Sequence, residues 1–276
     1  MDAATFIYTV LLKPKPLRHL ATKILLKLIP ERLQVGSAVV MLNPRDPVVS
    51  GALTLGLYEK AETLFFNAAC RPGMMFLDIG ANAGYYTALA LAAGARVIAL
   101  EPDPECFHYL SKTIAANSGD ARPFQRAAGS APGKFTLYRS GDNRGDNRLY
   151  PHPFSTSEEV VEVCTVDDLL AEIGQTTIDF IKMDVQGFEG HAIAGMQQTL
   201  RRSPNVVMMT EFWPMGLERA GSDPLAVLQG LEALGFALWH LTPKGLTVPI
   251  TDKVAFIAAH PDRNYTNIVV RRPEAR

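Results

Sequence analysis

Cysteine is scarce in this chain, which has only Cys70, Cys106 and Cys164 among 276 residues. An odd number at such wide spacing fits neither a disulfide framework nor the paired ligands of a zinc site. We therefore expect a reducing, cytoplasmic environment. The N-terminus has no short apolar core followed by a small-residue cleavage site, so no secretory signal is expected either.

Long apolar runs and an excess of one charge are also lacking. No run reaches the roughly 18 residues needed to cross a bilayer, and the formal net charge is −1. Such a balance creates no global field that would recruit nucleic acid, so we expect no nucleic-acid partner. Hydrophobic residues make up 47% of the chain and charged residues 20%. This composition excludes a mainly disordered chain and predicts a sizeable buried core.

Positive charge is concentrated only near the start of the chain. Residues 1–32 contain six Lys and Arg residues against two acidic ones, an excess of four. Within them, residues 17–29 place apolar side chains at helical spacing with basic side chains set apart. Such a helix can make a weak peripheral contact with the inner, anionic face of a membrane. The alternative is a helix that packs on its own domain with solvated lysines.

From about residue 74, short continuous apolar runs alternate with helical patterns. Strands are predicted at 74–80, 96–101, 178–184, 205–211 and 236–241, and helices at 85–93, 104–117, 190–202 and 224–235. This alternation is typical of a parallel sheet covered on both faces, and predicts a doubly wound α/β fold. We expect an N-terminal extension of helix and strand over 1–50 and a main domain over 51–276. An insertion at about 130–166, read as β strands or a long loop, would arch over the sheet's carboxyl edge.

The turn after the first of these strands carries a binding signal. Gly80 and Gly84 permit a tight turn, and the helix that follows points free amides at a ligand. A dinucleotide site would need glycine where Asn82 stands, which argues against a nicotinamide-dependent oxidoreductase. Asp78 suits an ammonium group, the helix amides suit a carboxylate, and a ligand with both is an amino acid such as the methionine moiety of S-adenosylmethionine.

Glu101 extends this signal to the second strand. It stands 21 residues beyond Gly80, the spacing of an acid that binds the hydroxyls of an adenosine ribose. The predicted cofactor-binding residues are Asp78, Gly80, Ala81, Asn82, Gly84, Tyr85 and Glu101.

Three segments, FLDIGANAGYYT, ALEPDP and IKMDVQGFEGHAIAGM, resemble the FkbM family of S-adenosylmethionine-dependent methyltransferases, and so does GLYEKAETLFF upstream. The resemblance covers roughly residues 50–270. It implies the class I methyltransferase (Rossmann-like) fold, with a seven-stranded, mostly parallel sheet and one antiparallel strand near its edge. It also implies O-methylation of a small-molecule hydroxyl on a sugar, polyketide or other secondary metabolite. Gln186 departs from the family, which commonly has Glu within KxDxEGxE.

Candidate catalytic residues lie at the ends of the later strands. Asp184, Glu211 and His240 each end a strand, and Lys182 faces the same side of the sheet as Asp184. Because consecutive strands are usually neighbours, we expect these four residues to gather where the methyl group is presented. Asp184 and His240 are alternative bases for the acceptor hydroxyl. Asp184 and Glu211 are also an alternative magnesium site, although two carboxylates are few ligands for it.

The remaining segments leave alternatives open. Glu189 is predicted either at a functional position or as a carboxylate offsetting a helix dipole. The polar stretch 140–153 is either a solvated turn or an acceptor-binding loop, with Tyr150 and Phe154 stacking on a sugar. The alternative to an enzyme is a catalytically silent, membrane-associated module that binds the cofactor without turnover. The sequence does not determine the oligomeric state.

Overall fold

The structure is a computed structural model that describes residues 28–141 and 143–273. The segment predicted to contact a membrane, residues 17–29, lies outside the described residues except for its last two positions. Within the described ranges, no helix combines the length and apolar character that a membrane crossing requires.

Strands and helices alternate along most of the described chain. The strands are β1 (Arg32–Val35), β2 (Ala38–Met41), β3 (Met75–Ile79), β4 (Arg96–Leu100), β5 (Ala121–Phe124), β6 (Ala127–Ala128), β7 (Gly133–Ser140), β8 (Ser155–Cys164), β9 (Phe180–Met183), β10 (Val207–Phe212), β11 (Ala237–Leu241), β12 (Thr247–Pro249) and β13 (Thr266–Arg271). The helices are α1 (Val49–Thr54), α2 (Lys60–Ala69), α3 (Tyr85–Ala92), α4 (Pro104–Ala115), α5 (Val166–Glu172), α6 (Glu189–Ala194), α7 (Gln197–Arg202), α8 (Pro214–Arg219), α9 (Pro224–Ala233) and α10 (Lys253–Ala258).

The central sheet has the strand order β12-β11-β13-β10-β9-β3-β4-β5. The strands from β10 to β5 are parallel, and β13 runs antiparallel to both of its neighbours, β10 and β11. This confirms the doubly wound α/β fold with an antiparallel strand near the edge. The expected count of seven strands is exceeded by one, because the chain turns back at Gly245 and the short β12 pairs with β11.

Apolar side chains pack on both faces of this sheet. Along β3, Leu77 and Ile79 join one core cluster, whereas Phe76 joins the other together with Phe180 of β9. Phe66 of α2 packs on both of these rings, with centroids 5.2 Å from Phe76 and 5.3 Å from Phe180. Burial on both faces explains why the strands are continuous apolar runs in the sequence.

The β1–β2 hairpin packs on the main domain through polar contacts as well as apolar ones. The backbone amides of Val39 and Met41 donate to the side chains of Asn117 and Thr113, each at 2.9 Å. Val40 belongs to the same core cluster as the residues of α3. The hairpin is therefore held against α4 and the residues that follow it.

The insertion forms a separate three-stranded sheet in the order β6-β8-β7, with β7 and β8 antiparallel. A 3-10 turn, Arg144–Asp146, follows β7. Arg139 Nε lies 2.5 Å from Asp103 Oδ2, and Arg144 Nη2 lies 3.0 Å from Glu105 Oε2. These ion pairs fasten the insertion to the start of α4, beside the carboxyl ends of β3 and β4.

Candidate functional site

A cavity of about 590 Å³ opens at the carboxyl ends of the central strands. Ligands of doubly wound sheets bind at this edge. Its wall is built from the α1–α2 connection, the turn after β3, the ends of β4, β9 and β10, and the insertion. Residues on this wall include Glu59, Gly80, Asn82, Glu101, Asp184, Gln186 and Glu211.

The turn after β3 requires glycine at Gly80. Its φ is +79°, and a Cβ there would overlap the carbonyl oxygen of Asp184. Gly80 therefore lets the ends of β3 and β9 approach closely. Asn82 also lies in the left-handed region, with φ +50°, which Asn tolerates better than most residues. Gly80 and Asn82 thus place a tight, left-handed turn on the cavity wall.

Glu101 is fixed at the end of β4 by two backbone amides. Asn82 N donates to Oε2 and Asp103 N donates to Oε1, each at 2.8 Å. The residue is buried, and burial raises the pKa of its carboxyl to about 8. Each carboxylate oxygen can accept more than one hydrogen bond, so Glu101 can still accept bonds from two neighbouring hydroxyls of a ligand.

Four of the seven predicted cofactor-binding residues do not line the cavity. Asp78, Ala81, Gly84 and Tyr85 are buried and do not line the cavity. Asp78 Oδ2 accepts a hydrogen bond from Thr87 Oγ1 at 2.7 Å, and burial raises the pKa of Asp78 to about 6. In the described part of the chain, the turn thus presents Gly80 and Asn82 to a ligand and keeps its remaining side chains in the core.

Asp184 and Glu211 are brought together, as expected, and a neutral side chain links them. Gln186 Nε2 donates to Asp184 Oδ1 at 2.7 Å and lies 3.3 Å from both oxygens of Glu211. Lys182 Nζ lies 3.5 Å from Asp184 Oδ2. Burial by itself lowers the pKa of Lys182. The negative charges of Asp184 and the other nearby acids have the larger combined effect and raise the pKa above its ordinary value. Lys182 therefore stays charged.

A third carboxylate, Glu189, joins this pair. Asp184, Glu189 and Glu211 each have an oxygen within 4.8 Å of the others', an arrangement of donors that suits magnesium. Glu189 Oε1 accepts from Val185 N at 3.0 Å, whereas Oε2 is buried without a hydrogen-bond partner. Burial raises the pKa of Glu189 to about 7 and that of Glu211 well above its ordinary value. Of the two alternatives predicted for Glu189, the structure places it at the start of α6 and also beside the other two acids.

His240 does not join the group, so its predicted position is wrong. β13 inserts between β10 and β11, and His240 pairs with Ile268 whereas Glu211 pairs with Asn267. Adjacent residues of one strand face opposite sides of a sheet, so the two side chains lie on opposite faces. His240 Nε2 instead lies 2.9 Å from Thr266 Oγ1.

The insertion contributes polar groups rather than the predicted stacking rings. Residues 143–149 line the cavity. Arg148 forms an ion pair with Asp146, and its guanidinium lies 4.6 Å from the centre of the Trp213 ring. Tyr150 is buried and donates to the backbone of Gln186 at 2.8 Å, and Phe154 does not line the cavity.

Known proteins resemble this chain in sequence. The model of the methyltransferase FkbM domain matches residues 78–238. The 2-O-methyltransferase NoeI of Sinorhizobium fredii is 30% identical over an alignment of 153 residues that covers 48% of this chain and 61% of that protein. The match therefore spans less than two thirds of that relative.

Two solved structures of low sequence identity are also similar to this chain. Magnesium protoporphyrin IX methyltransferase (ChlM) from Synechocystis PCC 6803, with bound S-adenosylmethionine, is 12% identical, with 99% of this chain and 98% of that chain covered and a TM-score of 0.45. A TehB-like S-adenosylmethionine-dependent methyltransferase from Corynebacterium glutamicum is 14% identical, with 81% and 93% covered and a TM-score of 0.41.

Proposed function

Because this chain belongs to the FkbM methyltransferase family, whose cofactor is S-adenosylmethionine, we propose that it methylates a hydroxyl of a small-molecule acceptor. The acceptor class is a sugar, a polyketide or another secondary metabolite. The observation that carries the proposal is the pairing of two features on one cavity wall. Glu101, oriented by two backbone amides, and the carboxylate pair of Asp184 and Glu211, held by Lys182 and Gln186, both line it.

The residues fit the cofactor on two grounds. Gly80 and Asn82, both in left-handed backbone conformations, line the cavity together with Glu101. Glu101 is oriented by two amides, which leaves its oxygens able to receive a diol. When bound, S-adenosylmethionine supplies an electrophilic methyl group on a sulfonium.

The chain's own task is then to align a hydroxyl and take its proton. Alignment of the reacting atoms accounts for much of the acceleration in such transfers. Asp184 is held on one oxygen by Lys182 and on the other by Gln186, so its position is well defined. With His240 on the other face of the sheet, the Asp184–Glu211 pair is left to accept the proton. The 2-O-methyltransferase name of the relative NoeI supports oxygen as the methyl acceptor.

Magnesium is not part of this proposal. Gln186 Nε2 donates to both Asp184 and Glu211, and so occupies the position that a cation shared by these carboxylates would take. A nicotinamide-dependent oxidoreductase receives no support, because Asn82 stands where a pyrophosphate would need glycine.

The test has a binding arm and a turnover arm. In calorimetric titrations, S-adenosylhomocysteine should bind and NAD should not, and Glu101→Ala should weaken S-adenosylhomocysteine by about 1.5–3 kcal/mol, the scale of a hydrogen bond to a charged group. Labelled S-adenosylmethionine should then methylate a member of a panel of glycans and polyketides. Binding without turnover on any acceptor would favour the silent module instead.

Once an acceptor is found, the assignment of the base can be tested. Asp184→Asn and Glu211→Gln should each lower kcat by about 10²–10⁴-fold, the range for a lost general base. His240→Ala should retain kcat within about threefold, because its imidazole contacts Thr266 rather than the cavity. A large loss in His240→Ala alone would contradict the proposal.

A further inference from the structure

We propose that Glu59 binds the α-ammonium group of the cofactor's methionine moiety. The sequence pattern favours Asp78 for this role, but Asp78 is 1% exposed and is bonded to Thr87. Glu59 is one of the two carboxylates of the segment GLYEKAETLFF, and it lines the cavity together with Gly80, Asn82 and Glu101. The inference rests on the cofactor and not on the identity of the acceptor.

The backbone of Glu59 is unusual. It has φ +35° and ψ 54°, a left-handed conformation that costs energy in a residue other than glycine. Strain of this kind persists only where the surrounding structure enforces it, and it concentrates at ligand sites. Glu59 immediately precedes α2, yet its side chain makes no cap hydrogen bond to that helix. The ordinary reason for an acid at this position, helix capping, is therefore absent.

The side chain of Glu59 points instead toward the turn after β3. Tyr86 Oη donates to Glu59 Oε2 at 2.6 Å. Tyr86 is the second residue of α3, the helix that begins directly after Gly84. Lys182 Nζ lies 5.4 Å from the centre of the Tyr86 ring. The carboxylate is thus oriented by the hydroxyl of Tyr86, with a further hydrogen bond to Tyr58, and lines the same cavity as Gly80 and Asp184.

Electrostatics agree with this placement. Burial raises the pKa of Glu59, although Lys182 opposes the shift. Glu59 is half-buried, and a poorly solvated carboxylate is stabilised when a cation reaches it; the ammonium group of the cofactor is such a cation. Glu62, the neighbouring acid on the wall, accepts instead from Asn267 Nδ2 at 2.9 Å. Glu62 therefore provides a matched control.

The experiment compares two ligands on four proteins. The ligands are S-adenosylhomocysteine and its analogue with hydrogen in place of the amino group; the proteins are the wild type, Glu59→Gln, Asp78→Asn and Glu62→Gln. Titration calorimetry gives each affinity, and thermal unfolding checks that each variant is folded. Glu59→Gln should weaken S-adenosylhomocysteine by about 10- to 100-fold, as for a lost hydrogen bond to a charged group, and should leave the deaminated analogue unchanged within about twofold. Glu62→Gln should change neither affinity.

A second variant tests the same proposal without changing Glu59 itself. Tyr86→Phe removes only the hydroxyl that orients Glu59, and should also weaken S-adenosylhomocysteine selectively, by about threefold to tenfold. The proposal is overturned if Glu59→Gln weakens both ligands equally, because the residue then only supports the cavity. It is equally overturned if Asp78→Asn alone shows the selective loss. Failure of the wild type to bind either ligand would overturn the cofactor assignment itself, whereas failure to find an acceptor would leave this result untouched.

Discussion

Gln186 shows how one side chain can set the character of the carboxylate site. Its backbone is left-handed, with φ +53°, and its amide nitrogen donates to Asp184 and Glu211 together. The resemblance to the FkbM family places Glu at this position in most members. A glutamate could not donate to the two acids, and with Glu189 it would make a group of four carboxylates. Such a group needs a cation or protons to be stable.

We therefore expect Gln186→Glu to create a magnesium site. The variant should be stabilised by about 1.4–2.7 kcal/mol when magnesium is present at tenfold to a hundredfold above its dissociation constant, whereas the wild type should gain nothing. Denaturant unfolding with magnesium and with a chelator measures this difference. Gln186→Ala, which removes the amide without adding a carboxylate, separates the two effects: it leaves the three carboxylates and should gain less from magnesium than Gln186→Glu. Loss of wild-type stability or turnover on chelation would contradict the prediction.

At the scale of elements, the insertion is held to the domain by unequal ion pairs. Arg139 pairs with Asp103, whose side chain is fully buried and also caps α4. Arg144 pairs with Glu105, whose side chain is 20% exposed. A buried charge left without its partner is costly, whereas a partly exposed one is solvated by water. The two pairs should therefore contribute differently to the stability of the fold.

The expected result is that Arg139→Met lowers the free energy of unfolding by about 3 kcal/mol. Arg144→Met should lower it by less than about 1 kcal/mol, while still loosening residues 143–149 on the cavity wall. Urea unfolding measures the first effect, and the affinity for S-adenosylhomocysteine reports the second. Equal losses of stability in the two variants would show that the burial of Asp103 does not govern the anchor.

At the scale of the whole molecule, the carboxyl edge of the sheet concentrates buried acids whose pKa values are raised. For Glu101 the pKa is about 8 in the folded protein against an ordinary 4.5. The folded state therefore holds this proton more tightly than the unfolded state does. The resulting stabilisation is fully present below about pH 4.5 and is lost as the pH rises through about 8. Glu189, with a pKa of about 7, acts in the same direction.

The free energy of unfolding of the ligand-free protein should accordingly fall between about pH 5 and about pH 9. Glu101→Gln cannot ionise and should make this decline shallower. Denaturant unfolding across the pH range measures both curves, and Glu62→Gln serves as the reference for a carboxylate whose partner is Asn267. A wild-type stability that rises over this range would refute the expectation.

The sequence by itself determined the features that depend on local pattern. Continuous apolar runs and helical spacing gave the doubly wound fold, because strands buried on both faces have no polar alternation. The fixed spacing from Gly80 to Glu101 placed both on one wall, because a strand, a turn and a helix span a nearly constant distance in such folds. Asp184 and Glu211 were brought together correctly because β9 and β10 are neighbours.

Tertiary structure alone decided the positions that depend on pairings distant in sequence. His240 faces away from the site because β13, the last strand, inserts beside β10, and nothing near residue 240 encodes that insertion. Glu59 lies on the cavity wall and Asp78 lies off it, since a strand-end acid can turn either to a ligand or to a neighbouring hydroxyl. Glu189 reaches the other acids through the fold of one loop. Local pattern fixes which element a residue belongs to, but packing between elements fixes which face and which neighbours it has.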